Sequence, residues 1–437
     1  MEETGKKLLG SVAVPQEIVD DLKSVKNITS LGKKIGEYEI ENTTSLLDVV
    51  LVGAINLGVS DIHIEPEKER AKLRMRVDGI LQDTVFLGSN AYNHLLSRIK
   101  LLSKIKLNIT DKPQDGRFTI TINDLLVEIR TSSLPAEYGE AIVMRVLNPG
   151  NFIKLESLGL RKDLYELLEK EIKRPNGMIV VTGPTGAGKT TTLYSFLLKI
   201  QTPEIKIITI EDPIEYHIKG ISQTQAAPEK GYGFSEGLKS IVRQDPDVIL
   251  VGEIRDLETA KIALQASLTG HLVLTTLHTN DAAGTIPRLV DLGAQSSSIA
   301  PALKIVVAQR LVRKVCEKCS ILAKPSAQEL AEIIKNLKDI SRDITGVKNL
   351  NKIKIAKTKE KGCPACNSTG YRGRIGLFEV FIIDAEIEKF ILTNPPTSSI
   401  KEKMIKKGMI TIYQSGLIEV ALGKTTLEEV KKIVEED

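Results

Sequence analysis

At 437 residues the chain is long enough for two or three domains that each bury a core, which excludes a single small module. Its 42% hydrophobic and 27% charged residues are those of a globular protein, so wholesale disorder is excluded as well. Lys+Arg number 60 against 56 Asp+Glu, and the resulting +4 is too small an excess to call for a polyanion partner.

Residues 1–44 mix isolated apolar residues with Pro15, Gly32, Gly36 and many charges. This pattern predicts a weakly structured lead with at most one short amphipathic helix, around Ile18 to Val25. Glu2, Glu3, Lys6 and Lys7 open the chain with no apolar run behind them, so no secretory signal is read there. The longest apolar stretches, Val49 to Val59 and Met178 to Val181, fall short of the roughly 18 residues that a spanning helix needs. A cytoplasmic location is expected. From Ser45, the residues Leu46, Leu47, Val50 and Ile55 trace a helix. Alternating runs follow at Asp61–Ile64, Leu73–Val77, Phe118–Ile122 and Val127–Thr131, with turns predicted at Asp78-Gly79 and Asp115-Gly116. These predict a small α+β domain over 45–148 and a linker over 149–157, around Asn148-Pro149-Gly150. Over 158–315, buried apolar strands at Met178–Thr182, Ile207–Ile210, Val248–Val251 and Leu272–Thr275 alternate with helices, which predicts an α/β domain with a parallel sheet. Residues 316–383 hold four cysteines, a Lys-rich stretch from Ala331 to Lys361 and a strand near Ile375–Phe381; 384–437 reads as helical.

Gly183-Pro184-Thr185-Gly186-Ala187-Gly188-Lys189-Thr190, followed by Thr191, is a full G-x-x-x-x-G-K-[ST] run behind a strand and ahead of a helix. Glycines let the backbone turn its N–H groups toward phosphate oxygens, Lys189 reaches the β- and γ-phosphates, and Thr190 is placed to hold Mg²⁺. Two acidic elements follow, Glu211-Asp212-Pro213-Ile214-Glu215 and Asp247 to Glu253, each at the C-terminal end of a predicted strand. In an open α/β sheet that edge is where ligands bind. Thr269-Gly270-His271 and the run from Thr275 to Asn280, which contains His278, supply polar clusters on either side of one strand, a pattern suited to sensing a γ-phosphate. The cysteines form two C-x-x-C pairs, Cys316/Cys319 and Cys363/Cys366. Two such pairs complete a tetrahedral sulfur site for Zn²⁺, and no thioredoxin-like strand precedes either pair to favour a redox role.

The run from Arg243 to Asp256, with the Glu211 and His278 boxes, resembles the secretion-superfamily ATPases that power type II secretion and type IV pilus assembly. The resemblance extends through Ser60 to Pro66, Arg74 to Gly79, Gln114 to Arg117, Arg130 to Arg145, the cysteines and Gly370 to Arg374, covering about residues 45–437. It implies a RecA-like P-loop ATPase domain preceded by a small PAS-like α+β domain, with a C-terminal tetracysteine zinc module and helices. It also implies ATP, Mg²⁺ and Zn²⁺ as cofactors. Glu215 is implied as the group that activates water, with Glu211 as the alternative; Glu253 assists Mg²⁺, and Arg130 and Arg145 serve as charge-neutralising fingers. A homohexamer is implied, peripherally associated with the cytoplasmic face of the inner membrane and working on an assembly platform protein there. Family assembly ATPases usually carry a further N-terminal docking domain, and with about 44 residues ahead of Ser45 a short form is expected. A pilus-retraction motor is the alternative within the class, although such motors generally lack the cysteine module. A nucleic-acid-binding zinc protein with a nucleotide switch is the alternative from another class, with nucleic acid otherwise unsupported.

Overall fold

The computed structural model describes residues 11–41, 45–123, 125–148 and 153–435. They fall into two units, one of Met1–Asn151 with Cys316–Cys319 and Lys359–Arg372, the other of Phe152–Val315, Ser320–Thr358 and Gly373–Asp437. Among the described residues no helix is long and apolar enough to cross a membrane.

The first unit runs β1 (Ser11–Ala13), α1 (Gln16–Asp21), α2 (Ile28–Glu41), α3 (Leu46–Asn56), β2 (Asp61–Pro66), β3 (Arg70–Val77), β4 (Ile80–Gly88), α4 (Ser89–Leu102), β5 (Gln114–Ile122), β6 (Leu125–Ala136) and β7 (Gly139–Leu147). Its sheet has the order β1-β5-β6-β7-β2-β3-β4. Strand β1 joins β5 in parallel, while the pairs β5/β6, β6/β7, β7/β2, β2/β3 and β3/β4 are antiparallel. Alternation sets the two faces: Ala71, Leu73 and Met75 of β3 are buried, and Lys72, Arg74 and Arg76 lie on the other side. Helix α3 is apolar all round except for Asp48, which pairs with Arg98 at 3.1 Å, and it is buried throughout Leu46–Ala54. The Lys100 ammonium of α4, fully buried, is neutralised at 2.7 Å by Glu140 of β7.

Where the sequence predicts a weakly structured lead with one short helix, the described residues form α1 and the longer α2. Leu22, Leu31 and Ile35 are completely buried. Helix α2 meets α3 closely because Gly53 of α3 has no side chain; a Cβ there would stand 2.2 Å from Leu31 Cδ1 of α2. Asp78 and Gly79 both take positive φ in the predicted turn. Asp115-Gly116 does not turn. Both residues lie within β5, and the glycine is needed for close approach, since a Cβ on Gly116 would sit 2.2 Å from the Ser103 carbonyl oxygen.

The second unit contains α5 (Lys162–Glu171), β8 (Gly177–Thr182), α6 (Lys189–Ile200), β9 (Ile207–Glu211), β10 (Ser222–Gln225), α7 (Phe234–Val242), β11 (Val248–Val251), α8 (Leu257–Leu268), β12 (Leu272–Leu277), α9 (Thr285–Asp291), α10 (Ser296–Ala302) and β13 (Leu303–Val315). Its sheet order is β10-β9-β11-β12-β8-β13, closed by β16 (Tyr371–Ile382), whose first two residues belong to the first unit. The six strands from β10 to β13 are parallel. Strands β8, β9, β11 and β12 are buried at every residue, the expected state of a parallel sheet covered on both faces. Between β13 and β16 come β14 (Ile321–Ala323), α11 (Ala327–Leu337), α12 (Arg342–Thr345) and β15 (Ile355–Lys357). The Lys-rich stretch is therefore folded, with Ile333, Leu337, Val347 and Ile355 sharing a core with Leu417 and Val430. Helices α13 (Ala385–Ile391), α14 (Thr397–Lys406), α15 (Ile412–Ala421) and α16 (Leu427–Glu435) complete the unit.

Candidate functional site

The turn from β8 into α6 is built from left-handed backbone. Gly183, Gly186 and Gly188 have φ of 149°, 82° and 85°, which L side chains rarely adopt. Gly183 is also hemmed in, since a Cβ would stand 2.5 Å from the Gln309 carbonyl oxygen of β13. Lys189 opens α6, and its Nζ donates to the carbonyls of Gly183 and Pro184 at 2.8 and 3.0 Å. Burial pulls the Lys189 ammonium down to about 8, Glu253 works against that shift, and Arg310 adds to it. Thr190 and Thr191 follow in the first helical turn, where a helix N-terminus favours anions.

Three strand ends are stitched together around this loop. Thr279 Oγ1 lies 2.7 Å from the Thr182 hydroxyl, whose oxygen also accepts from the Thr279 N–H at 2.9 Å, joining β12 to β8. The Thr276 hydroxyl donates to Gly252 O at 2.7 Å, joining β12 to β11. Glu253 thereby stands beside His278, 3.6 Å from Nε2, and also pairs with Arg255. Burial and the positive charge of Lys189 hold the His278 imidazole below its usual value, outweighing Glu253, so the ring is neutral near pH 7. Lys189, Glu253 and His278 thus form one electrostatic group at the C-terminal edge of the sheet. His271 is not among them. It precedes β12 at the strand's other end, with Nδ1 3.0 Å from Ala266 O.

Glu211 ends β9 but points inward. It is 3% exposed and accepts hydrogen bonds from Tyr194, Thr209 and Gln223. Glu215, four residues on, is partly exposed in the following loop.

In the first unit the register aligns Arg117, Arg130, Arg145, Asp61 and Arg76 across five neighbouring strands. Four guanidinium groups so share one face with a single carboxylate in the row. Asp61 pairs with Arg145 at 3.0 Å and Arg76 at 3.4 Å, while Glu128 lies 3.4 Å from Arg130. Arg145 keeps 59% of its side chain exposed. Arg117 and Arg76 lie in motif runs but carry no expected role, because cross-strand alignment is invisible until register is known. Gln309 and Arg310, buried on β13, were missed for the same reason. The Gln309 side chain accepts from Thr192 at 2.6 Å, and Arg310 donates to Asn280 O at 2.7 Å, bracing the phosphate loop from the adjacent strand.

The four cysteine sulfurs lie within 4.8 Å of one another. The Cys316–Cys363, Cys319–Cys366 and Cys363–Cys366 separations are each 3.8 Å. A tetrahedron with Zn–S of about 2.3 Å has edges of about 3.8 Å, so the donor set fits that ion. Burial would raise the Cys366 thiol, but backbone N–H groups of Cys363 and Gly370 donate to its sulfur at 3.2 and 3.3 Å and draw it down, whereas burial pushes the Cys316 and Cys319 thiols up.

A family model described as type II/IV secretion system protein matches residues 37–432. The chain is 43% identical over 410 residues to the type IV pilus assembly ATPase PilB of Thermus thermophilus, covering 91% of this chain and 44% of that one. It is 41% identical over 392 residues to the type II secretion system ATPase E of Vibrio cholerae, covering 90% and 75%. It thus spans less than half of the Thermus relative and three quarters of the Vibrio one. Among solved structures, the Legionella pneumophila ATPase DotB aligns with a TM-score of 0.64 at 22% identity, covering 90% of this chain and 95% of that chain. The pilus retraction motor PilT with bound ADP aligns at 0.59 and 27% identity, covering 88% and 95%.

Proposed function

The chain belongs to the type II/IV secretion system protein family, and on that premise we propose that it is a Mg²⁺-dependent ATPase whose hydrolysis drives assembly of a type IV pilus or a type II secretion pseudopilus. The observation that carries the reading is the convergence of Lys189, Glu253 and His278 at tied strand ends behind a glycine-built phosphate loop. Lys189 and the loop N–H groups bind the triphosphate. Mg²⁺, held by the Thr190 hydroxyl and through water by Glu253, would offset the β- and γ-phosphate charge. Glu215 takes the proton of the attacking water, and neutral His278 reports the γ-phosphate by hydrogen bonding. Arg130 and Arg145 supply positive charge to the transferring phosphoryl group, a role that can be worth roughly 10³–10⁵ in turnover. The chain acts as a homohexamer at an inner-membrane platform protein, on the cytoplasmic side. The four-cysteine site, filled by Zn²⁺, favours assembly over retraction.

Lys189→Ala tests the core of this reading. It should abolish ATP turnover while fold and zinc content persist; a folded variant with turnover within about twofold of wild type would refute the assignment.

A further inference from the structure

The carboxylate of Glu211 is closed to solvent and engaged at both oxygens. Oε2 accepts from the Tyr194 hydroxyl; Oε1 accepts from the Thr209 hydroxyl and, at 3.2 Å, from Gln223 Nε2. A general base must reach the water it deprotonates, and this carboxylate is walled off at 3% exposure. The partners of Glu211 turn instead toward the loop that bears Glu215. The backbone N–H groups of Tyr216 and Glu215 also act on the Tyr194 phenol, drawing its value down against burial. Gln223 Nε2 donates to Tyr216 O at 3.0 Å, and Gln223 Oε1 accepts from the Ile218 N–H at 2.7 Å. The Tyr194 and Tyr216 rings meet edge to face, 6.3 Å between centroids. Tyr194 stands on α6, the helix that Lys189 begins, and is 2% exposed.

We propose that Tyr194, Glu211 and Gln223 are positioning residues that clamp the backbone of Glu215 and Tyr216 to helix α6, so that Glu215 is held at a fixed place relative to the phosphate bound by Lys189. The inference rests on the reading of Glu215 as the base. Glu211 is then a strut: it locks the Tyr194 hydroxyl, and Tyr194 in turn packs on Tyr216, the residue next to Glu215. Burial, with the adjacent Glu211 carboxylate, pushes the Tyr194 phenol above its ordinary value, so it stays protonated as this arrangement requires. A clamp of this kind acts on the chemical step and leaves the phosphate loop untouched.

The test measures kcat, KM and binding of a nonhydrolysable ATP analogue for Tyr194→Phe, Glu211→Gln and Gln223→Ala, each alone and in a Glu215→Gln background read by single turnover. Each single variant should lower kcat by roughly ten- to a hundredfold, as misplacing a reacting group does, with KM and analogue binding within about threefold of wild type. In the Glu215→Gln background the same changes should cost nothing further, because the group they position is gone. Equal losses in both backgrounds, or unchanged kcat in folded single variants, would overturn the clamp. A dead Glu211→Gln beside a fully active Tyr194→Phe would overturn it by making Glu211 the base. Full activity of Glu215→Gln would instead remove the underlying assignment, and the clamp with it. Should Tyr194→Phe fail to fold, Gln223→Ala, on the edge strand β10, carries the test alone.

Discussion

Removing metal from the four-cysteine module should be felt at helix α2, far away in sequence. The module holds itself together with little else, since its hydrophobic cluster consists of the cysteines themselves. Structural zinc contributes roughly 10–16 kcal/mol of apparent binding energy at sites of this kind, so chelation should open Lys359–Arg372. Asn367, one residue beyond Cys366, adopts the left-handed conformation with φ of 50° and accepts the Ile28 N–H at 2.8 Å, capping the first turn of α2. Losing a helix cap costs about 1 kcal/mol, which corresponds to about fivefold faster local opening. Hydrogen–deuterium exchange read by mass spectrometry, with metal analysis in parallel, measures both effects. Before chelation the expected values are about one zinc per chain and protection across Lys359–Arg372. After chelation that segment should exchange freely and the first turn of α2 about fivefold faster, with β8 and α6 unchanged as an internal reference. Asn367→Ala should reproduce the α2 effect while the metal is retained. Far less than one zinc per chain in protein purified without chelator would refute the metal site, and α2 exchange that ignores both chelation and Asn367→Ala would refute the cap.

Glu215→Gln keeps the side chain's shape and removes its proton acceptor, so nucleotide should bind while hydrolysis falls by roughly 10²-fold or more; near-normal turnover would contradict the role. Arg130→Ala and Arg145→Ala should each lower turnover by roughly 10²-fold with little change in nucleotide affinity, and a pair of fully active variants would remove the fingers from the mechanism. Because burial lowers the Lys189 ammonium to about 8, the free enzyme is charged there below that pH and neutral above it. Calorimetric binding of a nonhydrolysable analogue should accordingly weaken as pH rises through about 8, and affinity that stays flat across that range would contradict the titration.

The parts legible in the sequence are those written in local spacing. The phosphate loop needs glycines at fixed offsets because its backbone is left-handed, and two C-x-x-C pairs carry their own ligand geometry. Buried parallel strands announce themselves as unbroken Val/Ile/Leu runs, which is why β8, β9, β11 and β12 were placed within two residues. The rest depends on partners distant in the chain. Asp115-Gly116 has the composition of a turn, but what its glycine accommodates is the Ser103 carbonyl, which no window around residue 116 contains. Helix α2 looks too polar to order itself; what orders it is distant, as where Leu31 fills the notch that Gly53 leaves in α3. His271 and His278 read as equivalent until the strand between them separates their ends. The arginine row likewise exists only in cross-strand register: all four members lie in motif runs, but only Arg130 and Arg145 carry an expected role.

The order in which the chain visits its two units has a bearing on inheritance. The polypeptide leaves the second unit after Val315 to contribute four residues to the first, returns at Ser320, leaves again at Lys359 and comes back at Gly373. A gene fragment encoding only the first 151 residues would therefore lack every cysteine and the cap that Asn367 gives to α2, while the complementary fragment would carry that module with nothing to dock on. Neither half is a portable cassette. Recombination at the obvious linker would split a folding unit.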